Sequence, residues 1–294
     1  MKIYAIITLV CSLALMGCYL KGEFDIPPAS SIDGVPEVLP TDTLEITYIA
    51  NEGVFIRIGD KQVLIDALHK PYRPAYMSTP PEIEALIMEG AAPFDDVDFL
   101  LVSHVHKDHF DAATVADYLS RQSEVSLFSS GQVIDSVLTH ARMKDAGKLV
   151  EEGHRENMVA VPYVDGVPRT MEKNGILVTA GKVAHGSERF RWVENLGHVV
   201  QIEERSILHV GDPGFGRDDI ERLLALTGKI DIAFLPSWFI TEPEGREVIG
   251  NIIQPAHLVI VHVSPDGVAS VKRVADTYYP EATVFSKPME SIRF

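Results

Sequence analysis

The chain is almost without cysteine: two in 294 residues, Cys11 and Cys18, both close to the N-terminus. Nothing after residue 18 can therefore form a disulfide framework or a thiolate-rich structural zinc site. Also missing is any apolar run of the ~20 residues that a transmembrane helix needs, since the apolar-dominated stretch from Ile3 to Leu15 stops short of that length. No Gly-x-Ser-x-Gly occurs, so the serine chemistry built on that strand-to-helix turn is not expected. Basic residues are scarce, 26 Lys and Arg against 42 Asp and Glu, for a formal net charge of −16. Such a balance disfavours nucleic acid, whose phosphates are held by Lys and Arg.

The N-terminus does carry a pattern: Met1-Lys2, the apolar stretch, then Met16-Gly17-Cys18. It reads as a secretory leader. Leu15-Met16-Gly17-Cys18 resembles a bacterial lipobox, which implies a signal peptide over residues 1–17, lipidation of Cys18 and a membrane anchor. The protein would then be exported to the cell envelope, facing the periplasm or the surface. An ordinary signal cleaved nearby is the alternative. With Cys11 removed and Cys18 lipidated, no free thiol would remain, which suits an oxidising compartment. Residues 18–43, with Pro27, Pro28, Pro36 and Pro40 and no apolar periodicity, read as a tether. At coil dimensions about 25 residues span ~30 Å. Residues 44–294 then form one domain, with no second linker and no obvious internal repeat.

That domain opens with short strands at Leu44–Ala50, Val54–Ile58 and Val63–Ile65, spaced as antiparallel hairpins. Helices and strands then alternate: helix Glu82–Glu89, strand Asp98–Val102, helix Asp111–Ser120, strand Val125–Phe128 and helix Gln132–Met143. Strands return at Met158–Tyr163, Ile176–Val183, His198–Ile202 and Ser206–Val210. Helix Arg217–Leu226, strand Asp231–Leu235, helix Glu242–Ile253 and strand His257–His262 follow. An α/β sheet covered by helices is expected. The proline-rich stretch 67–81 reads as a long loop, in which His69, Tyr72, Arg73, Tyr76 and Met77 are candidates to line a substrate entrance.

Chemistry concentrates in Ser103–Phe110, SHVHKDHF, directly after an apolar strand. His104 and His106 are two apart in an extended segment, so they project to the same side and can grip one ion. Once the chain turns at Lys107, Asp108 and His109 can reach toward a second. Imidazole nitrogen and carboxylate oxygen suit zinc, and a His/Asp set, unlike a closed thiolate site, leaves a position for water.

H-x-H-x-D-H after an apolar strand resembles the signature of the metallo-β-lactamase fold superfamily. Further landmarks follow in that superfamily's order: VLID ending at Asp66, the strand leading to His185, HVGD ending at Asp212 and the strand leading to His262. The segments Asn195-Leu196-Gly197, IDIAFLP and QPAHLVIVH are most similar to the metal-dependent hydrolases related to L-ascorbate-6-phosphate lactonase. The resemblance implies an α/β fold, a four-layer αβ/βα sandwich, holding two Zn2+. His104, His106 and His185 would hold the first ion, Asp108, His109 and His262 the second, with Asp212 shared and Asp66 behind the site against a ligand histidine. The plain alternative for Asp66 is a turn or helix-capping carboxylate, and for Asp212 a carboxylate in a Gly/Pro turn.

The implied reaction is hydrolysis of a small ester, lactone, amide or phosphodiester by a water whose pKa the two cations depress, with Asp108 orienting it or passing its proton to the leaving group. A mononuclear iron enzyme of the persulfide-dioxygenase kind and a non-catalytic metal- or ligand-binding lipoprotein are the alternatives. Kinship of fold does not imply β-lactam hydrolysis. His140, His154, His198 and His209 have no ligand context and read as structural, and His257, at the far end of the last strand, as core or surface.

Overall fold

A computed structural model describes residues 43–143, 155–164 and 166–294. The leader, Cys18, nearly all of the tether and His154 lie outside the described residues. The first sheet contains β1 (Leu44–Ala50), β2 (Gly53–Ile58), β3 (Lys61–Ile65), β4 (Phe99–Val102), β5 (Ser126–Ser130), β6 (Met158–Val161) and the C-terminal β14 (Ser291–Arg293). Its order is β14-β1-β2-β3-β4-β5-β6. β14 through β3 pair antiparallel and β3 through β6 parallel. The second sheet contains β7 (Arg169–Lys173), β8 (Ile176–Lys182), β9 (Leu196–Ile202), β10 (Arg205–His209), β11 (Ile232–Pro236), β12 (His257–Val261) and β13 (Thr283–Val284). It runs in that order, antiparallel from β7 to β10 and parallel from β10 to β13.

Alternation of side chains along the strands builds the layers. Phe99 and Leu101 of β4 enter an apolar cluster shared with Val200, Ile207, Phe234 and Val259 of the other sheet, whereas Leu100 and Val102 point outward to Val115, Leu119 and Val137 of the covering helices. The second sheet repeats the arrangement, with Leu208, Ala233 and Ile260 turned outward against Ile220, Leu223 and Val271. The result is helix, sheet, sheet, helix: the four layers expected from the resemblance.

The structure departs from the sequence reading at chain segments with weak patterning. Helix Glu242–Ile253 is in two parts, an α-helical Pro243–Val248 and a π-helical Ile249–Ile253. The strand expected over Met158–Tyr163 ends at Val161, and the helix from Arg217 ends at Leu224. β7, with the polar sequence RTMEK, and the short β13 and β14 gave no signal, because edge strands have only one partner and little apolar burial to encode.

Candidate metal centre

The signature loop is held at the carboxyl end of β4, where open α/β sheets gather their ligands. His104, His185, Asp212 and His262 each lie one to three residues beyond the ends of β4, β8, β10 and β12. Downstream, the Asp111 carboxylate accepts from Thr114 N at 2.8 Å and caps helix Ala112–Arg121, so the loop is pinned at both ends. Across it, Gly186 N donates to Asp212 O at 2.9 Å and Gly214 N to Ala184 O at 3.2 Å, which locks the His185 and Asp212 loops together.

All seven residues expected as ligands come together, in two groups. One is His104, His106, His185 and Asp212, and the other Asp108, His109 and His262; within each, the candidate ligand atoms lie within 4.8 Å of one another. Asp212 faces both. Its Oδ2 is 3.8 Å from His104 Nε2 and 3.7 Å from His185 Nε2, while its Oδ1 is 3.3 Å from His109 Nε2 and 3.4 Å from His262 Nε2. Asp108 Oδ2 stands 3.4 Å from His262 Nε2.

The surroundings set which histidine nitrogen is free. Asp66, fully buried, accepts from Ser103 N at 2.7 Å through Oδ1, and from Ser103 Oγ at 2.5 Å and His109 Nδ1 at 2.9 Å through Oδ2. With that hydroxyl proton committed to Asp66, Ser103 Oγ accepts from His104 Nδ1 at 2.9 Å. Both imidazoles therefore hold a proton on Nδ1 and direct Nε2 toward Asp212, where a lone pair is free on His104 and becomes free on His109 once it loses its second proton. Asp66 and His262 achieve their placement in the left-handed region, at φ 45° and 51°, and Gly211 before Asp212 at 63°.

The two groups differ in charge. Burial, and next the neighbouring His109, lowers His104 well below the usual histidine range; burial likewise takes His185 down to about 4. These are neutral. For His109 and His262 burial is again the largest single effect, but Asp212 together with Asp66 at His109 and Asp108 at His262 outweighs it; His109 rises well above its ordinary value and His262 to about 10. Burial opposes the charge on Asp212 and Asp108 too, yet His262 and His109 hold both carboxyls below the carboxylate range.

Donor chemistry fits divalent cations. The buried atoms His109 Nε2, His185 Nε2, His262 Nε2 and Asp212 Oδ1 have no hydrogen-bond partner of acceptable alignment, a cost of about 1–3 kcal/mol each if nothing else met them. They converge on the mouth of the site. His104 Nε2 and His106 Nδ1 are 3.0 Å apart, close to the ~3.3 Å between two nitrogens on one tetrahedral zinc.

Outside the ligand set the sequence reading needs correction. Tyr72, Arg73 and Tyr76 do line the cavity over the site, but His69 and Met77 do not. His69 is fully buried, and burial lowers it to about 4; Met77 packs on the core between the sheets. Phe190, Trp192 and Trp238 take part in the lining instead. They lie far along the chain in segments without a motif, so only folding could reveal them. Glu52 was also missed. The turn Asn51-Glu52 was legible only as a strand separator, yet Asn51 O accepts from His262 N at 3.0 Å and Asn51 Nδ2 donates to Asp108 O at 3.0 Å. The Glu52 carboxyl is buried beneath the site, 3.6 Å from His209 Nε2 and 3.9 Å from His109 Nδ1, and burial, then Asp212, raises it well above the ordinary value. His209 itself donates to Glu52 O at 3.1 Å and accepts from Gly211 N at 3.3 Å, so it is satisfied as a structural group. His198 is fully buried and His257 bonds Thr283 Oγ1 at 3.0 Å, and neither joins the two ligand groups.

Two facing sheets in four layers, with His and Asp side chains gathered at one edge, make the metallo-β-lactamase fold with a candidate metal centre. A family model described as the Beta-lactamase superfamily domain matches residues 61–285, and the chain belongs to that family. A metal-dependent hydrolase of Cupriavidus necator is 24% identical over 246 residues, covering 80% of this chain and 79% of the relative. Among solved structures, a metallo-beta-lactamase fold protein of Bacillus subtilis superposes with a TM-score of 0.56 at 13% identity, over 86% of this chain and 100% of that one. A possible metal-dependent hydrolase of Veillonella parvula gives 0.57 at 16% identity, over 84% and 98%.

Proposed function

We propose that the protein is an exported, lipid-anchored hydrolase that works with two divalent ions, zinc by donor chemistry, on a small ester, lactone, amide or phosphodiester. One observation carries the two-ion reading: Asp212 turns one oxygen to each group of ligands. A carboxylate in that position can serve two cations and offset their mutual repulsion. His104, His106 and His185 would hold one ion, and Asp108, His109 and His262 the other. Bound there, the ions would act as Lewis acids on a carbonyl or phosphoryl oxygen and lower the pKa of a water.

The chain's own residues do the rest. Asp66 keeps the His109 proton on Nδ1, and Ser103 does the same for His104, so neither ring can turn its N–H into the site. Asp108, kept ionised and reachable from the cavity, is the group able to accept a proton near the reacting atoms. Phe190, Tyr76 and Trp238 pack edge-on against ligand rings and limit water above them. Export and anchoring rest on the leader pattern ending at Cys18, and the acidic charge supports a small-molecule substrate over nucleic acid.

Metal analysis of the full chain, followed by a panel of esters, lactones, amides and phosphodiesters, tests this reading. Two zinc ions per chain with turnover of at least one class are expected. One iron per chain would move the protein to the oxygenase alternative, and metal loading without turnover to the non-catalytic one. Cys18→Ala should shift the protein from membranes to the soluble fraction; unchanged partitioning would remove the anchor.

A further inference from the structure

The cavity above the ligand cluster is about 370 Å3, near the lower end for small-molecule sites. Its walls are aromatic and its mouth is cationic. Phe190 lies edge-on to His106, with ring centres 4.6 Å apart, and Trp238 edge-on to His262 at 5.1 Å, its Nε1 donating to Pro213 O at 3.0 Å. Further out, Tyr76 stacks parallel to Tyr72 at 6.4 Å. Trp192, 60% exposed, completes the rim. Exposed aromatic rings at a cavity mouth leave apolar surface in water that a ligand can cover.

Two cations stand at this mouth. Arg73 lies over the Tyr72 ring at 4.9 Å and Lys107 Nζ is 5.9 Å from the same ring centre, so both are held at one side of the entrance. Among the described residues, neither is in an ion pair. Other basic groups on the surface are paired, as Arg57 is with Glu45, Lys61 with Glu203 and Arg222 with Asp219. Two unpaired cations beside a cavity attract an anion, and Arg in particular presents a fork suited to a carboxylate or phosphate.

We infer that the ligand of this site is a small organic anion with a flat apolar body: its anionic group meets Arg73 and Lys107, and its body lies against Tyr72, Tyr76, Trp192 and Trp238. The inference rests on the hydrolase reading for the orientation of the scissile group, which would lie over the ligand cluster, opposite the anionic end. A cation held in the aromatic box is the competing occupant. It is disfavoured, because Arg73 and Lys107 would repel it and two divalent ions would outweigh Asp108 and Asp212 below.

The test uses the protein's own fluorophores. Trp192 and Trp238 are the two tryptophans of the chain, and both line this cavity. The full chain, zinc-loaded, is titrated with phenylacetate, its neutral isostere phenylacetamide and phenyltrimethylammonium while tryptophan emission is followed. Phenylacetate should bind about tenfold more tightly than phenylacetamide, a difference of ~1.4 kcal/mol. In the Arg73→Ala, Lys107→Ala double variant, both exposed positions, that preference should shrink to about twofold, with metal content and phenylacetamide binding unchanged. The inference is overturned if the preference survives in the double variant, since the metals alone would then read the anion. Equal or better binding of phenylacetamide or phenyltrimethylammonium, or no response to any probe, overturns it as well. The readout needs no turnover, so a protein that hydrolyses nothing in the panel yet passes this titration loses the hydrolase reading and keeps the ligand class.

Discussion

Asp66→Asn asks how much of the metal centre depends on a residue that touches no metal. Asparagine keeps the shape and tolerates the left-handed backbone at φ 45°, so the change acts through hydrogen bonding alone. The native carboxylate accepts three bonds with two oxygens, from Ser103 N, Ser103 Oγ and His109 Nδ1. An amide has one acceptor oxygen. Turned toward His109, it sets its NH2 against the Ser103 N–H, two donors face to face in a buried site. Turned the other way, its NH2 meets His109 Nδ1, which must then give up its proton and carry it on Nε2, the nitrogen that faces Asp212 and a metal. Either outcome costs about 1–3 kcal/mol, and the second removes a ligand lone pair. Loss of such an orienting carboxylate weakens metal binding by roughly 10–100-fold. Chelator competition on wild type and variant reads the affinity, and urea denaturation of the metal-free proteins reads the fold. Ser103→Ala, which spares the Asp66–His109 bond, should weaken binding less. An Asp66→Asn protein that folds and holds metal within about twofold of wild type would refute the reasoning.

Three other outcomes follow from the same geometry. Asp212→Ala should lower metal stoichiometry together with rate; full retention of two ions would deny that Asp212 is shared. Metal loading should depend on pH: His104 and His185 are already neutral at pH 7, whereas His109 and His262 must each lose a proton, His262 one held up to about 10. The first ion should therefore bind with little proton release, and the second should release protons and tighten as pH rises; calorimetry at pH 6 and pH 8 showing equal affinity and proton release for both would contradict this. Gly211→Ala places a Cβ 2.4 Å from Asn195 Oδ1 and 2.7 Å from Ser103 Cβ at a residue with φ 63°. Displacing Asn195, which bonds Asp212 N at 3.1 Å and two backbone carbonyls, should cost about 1–3 kcal/mol in urea denaturation; a loss under ~0.5 kcal/mol would show that this loop is looser than it looks.

The ligand cluster also concentrates uncommon backbone. Asn51, Asp66, Gly211 and His262 all sit at positive φ around it, and each is tied by a bond that the left-handed turn makes available or tolerates. His262 N reaches Asn51 O, Asp66 N reaches Leu101 O and Gly211 N reaches His209 Nδ1. Strain of this kind persists only where packing on both sides over-determines it. Here the strands that lead to these residues are buried over their last three residues, which fixes the ligand positions before any ion arrives.

Legibility tracked how local each signal is. SHVHKDHF could be read because four donors within six residues after a buried strand leave little else for them to do, and the core strands because apolar runs have few alternatives. His185, Asp212 and His262 were legible only through their order after that motif, and Asp66 only through the resemblance. Glu52 and the aromatic walls were illegible: their chemistry comes from neighbours distant in the chain, and a glutamate in a turn or a lone tryptophan has the same local pattern wherever it points. The sequence by itself therefore determined the elements and the donor inventory, since periodicity and composition act over a few residues, and the four-layer fold only through the resemblance its motifs carry. Which oxygen of Asp212 faces which group, which histidines stay charged and where Arg73 and Lys107 meet the aromatic rim were decided only by tertiary structure, because electrostatics and burial depend on distance in space.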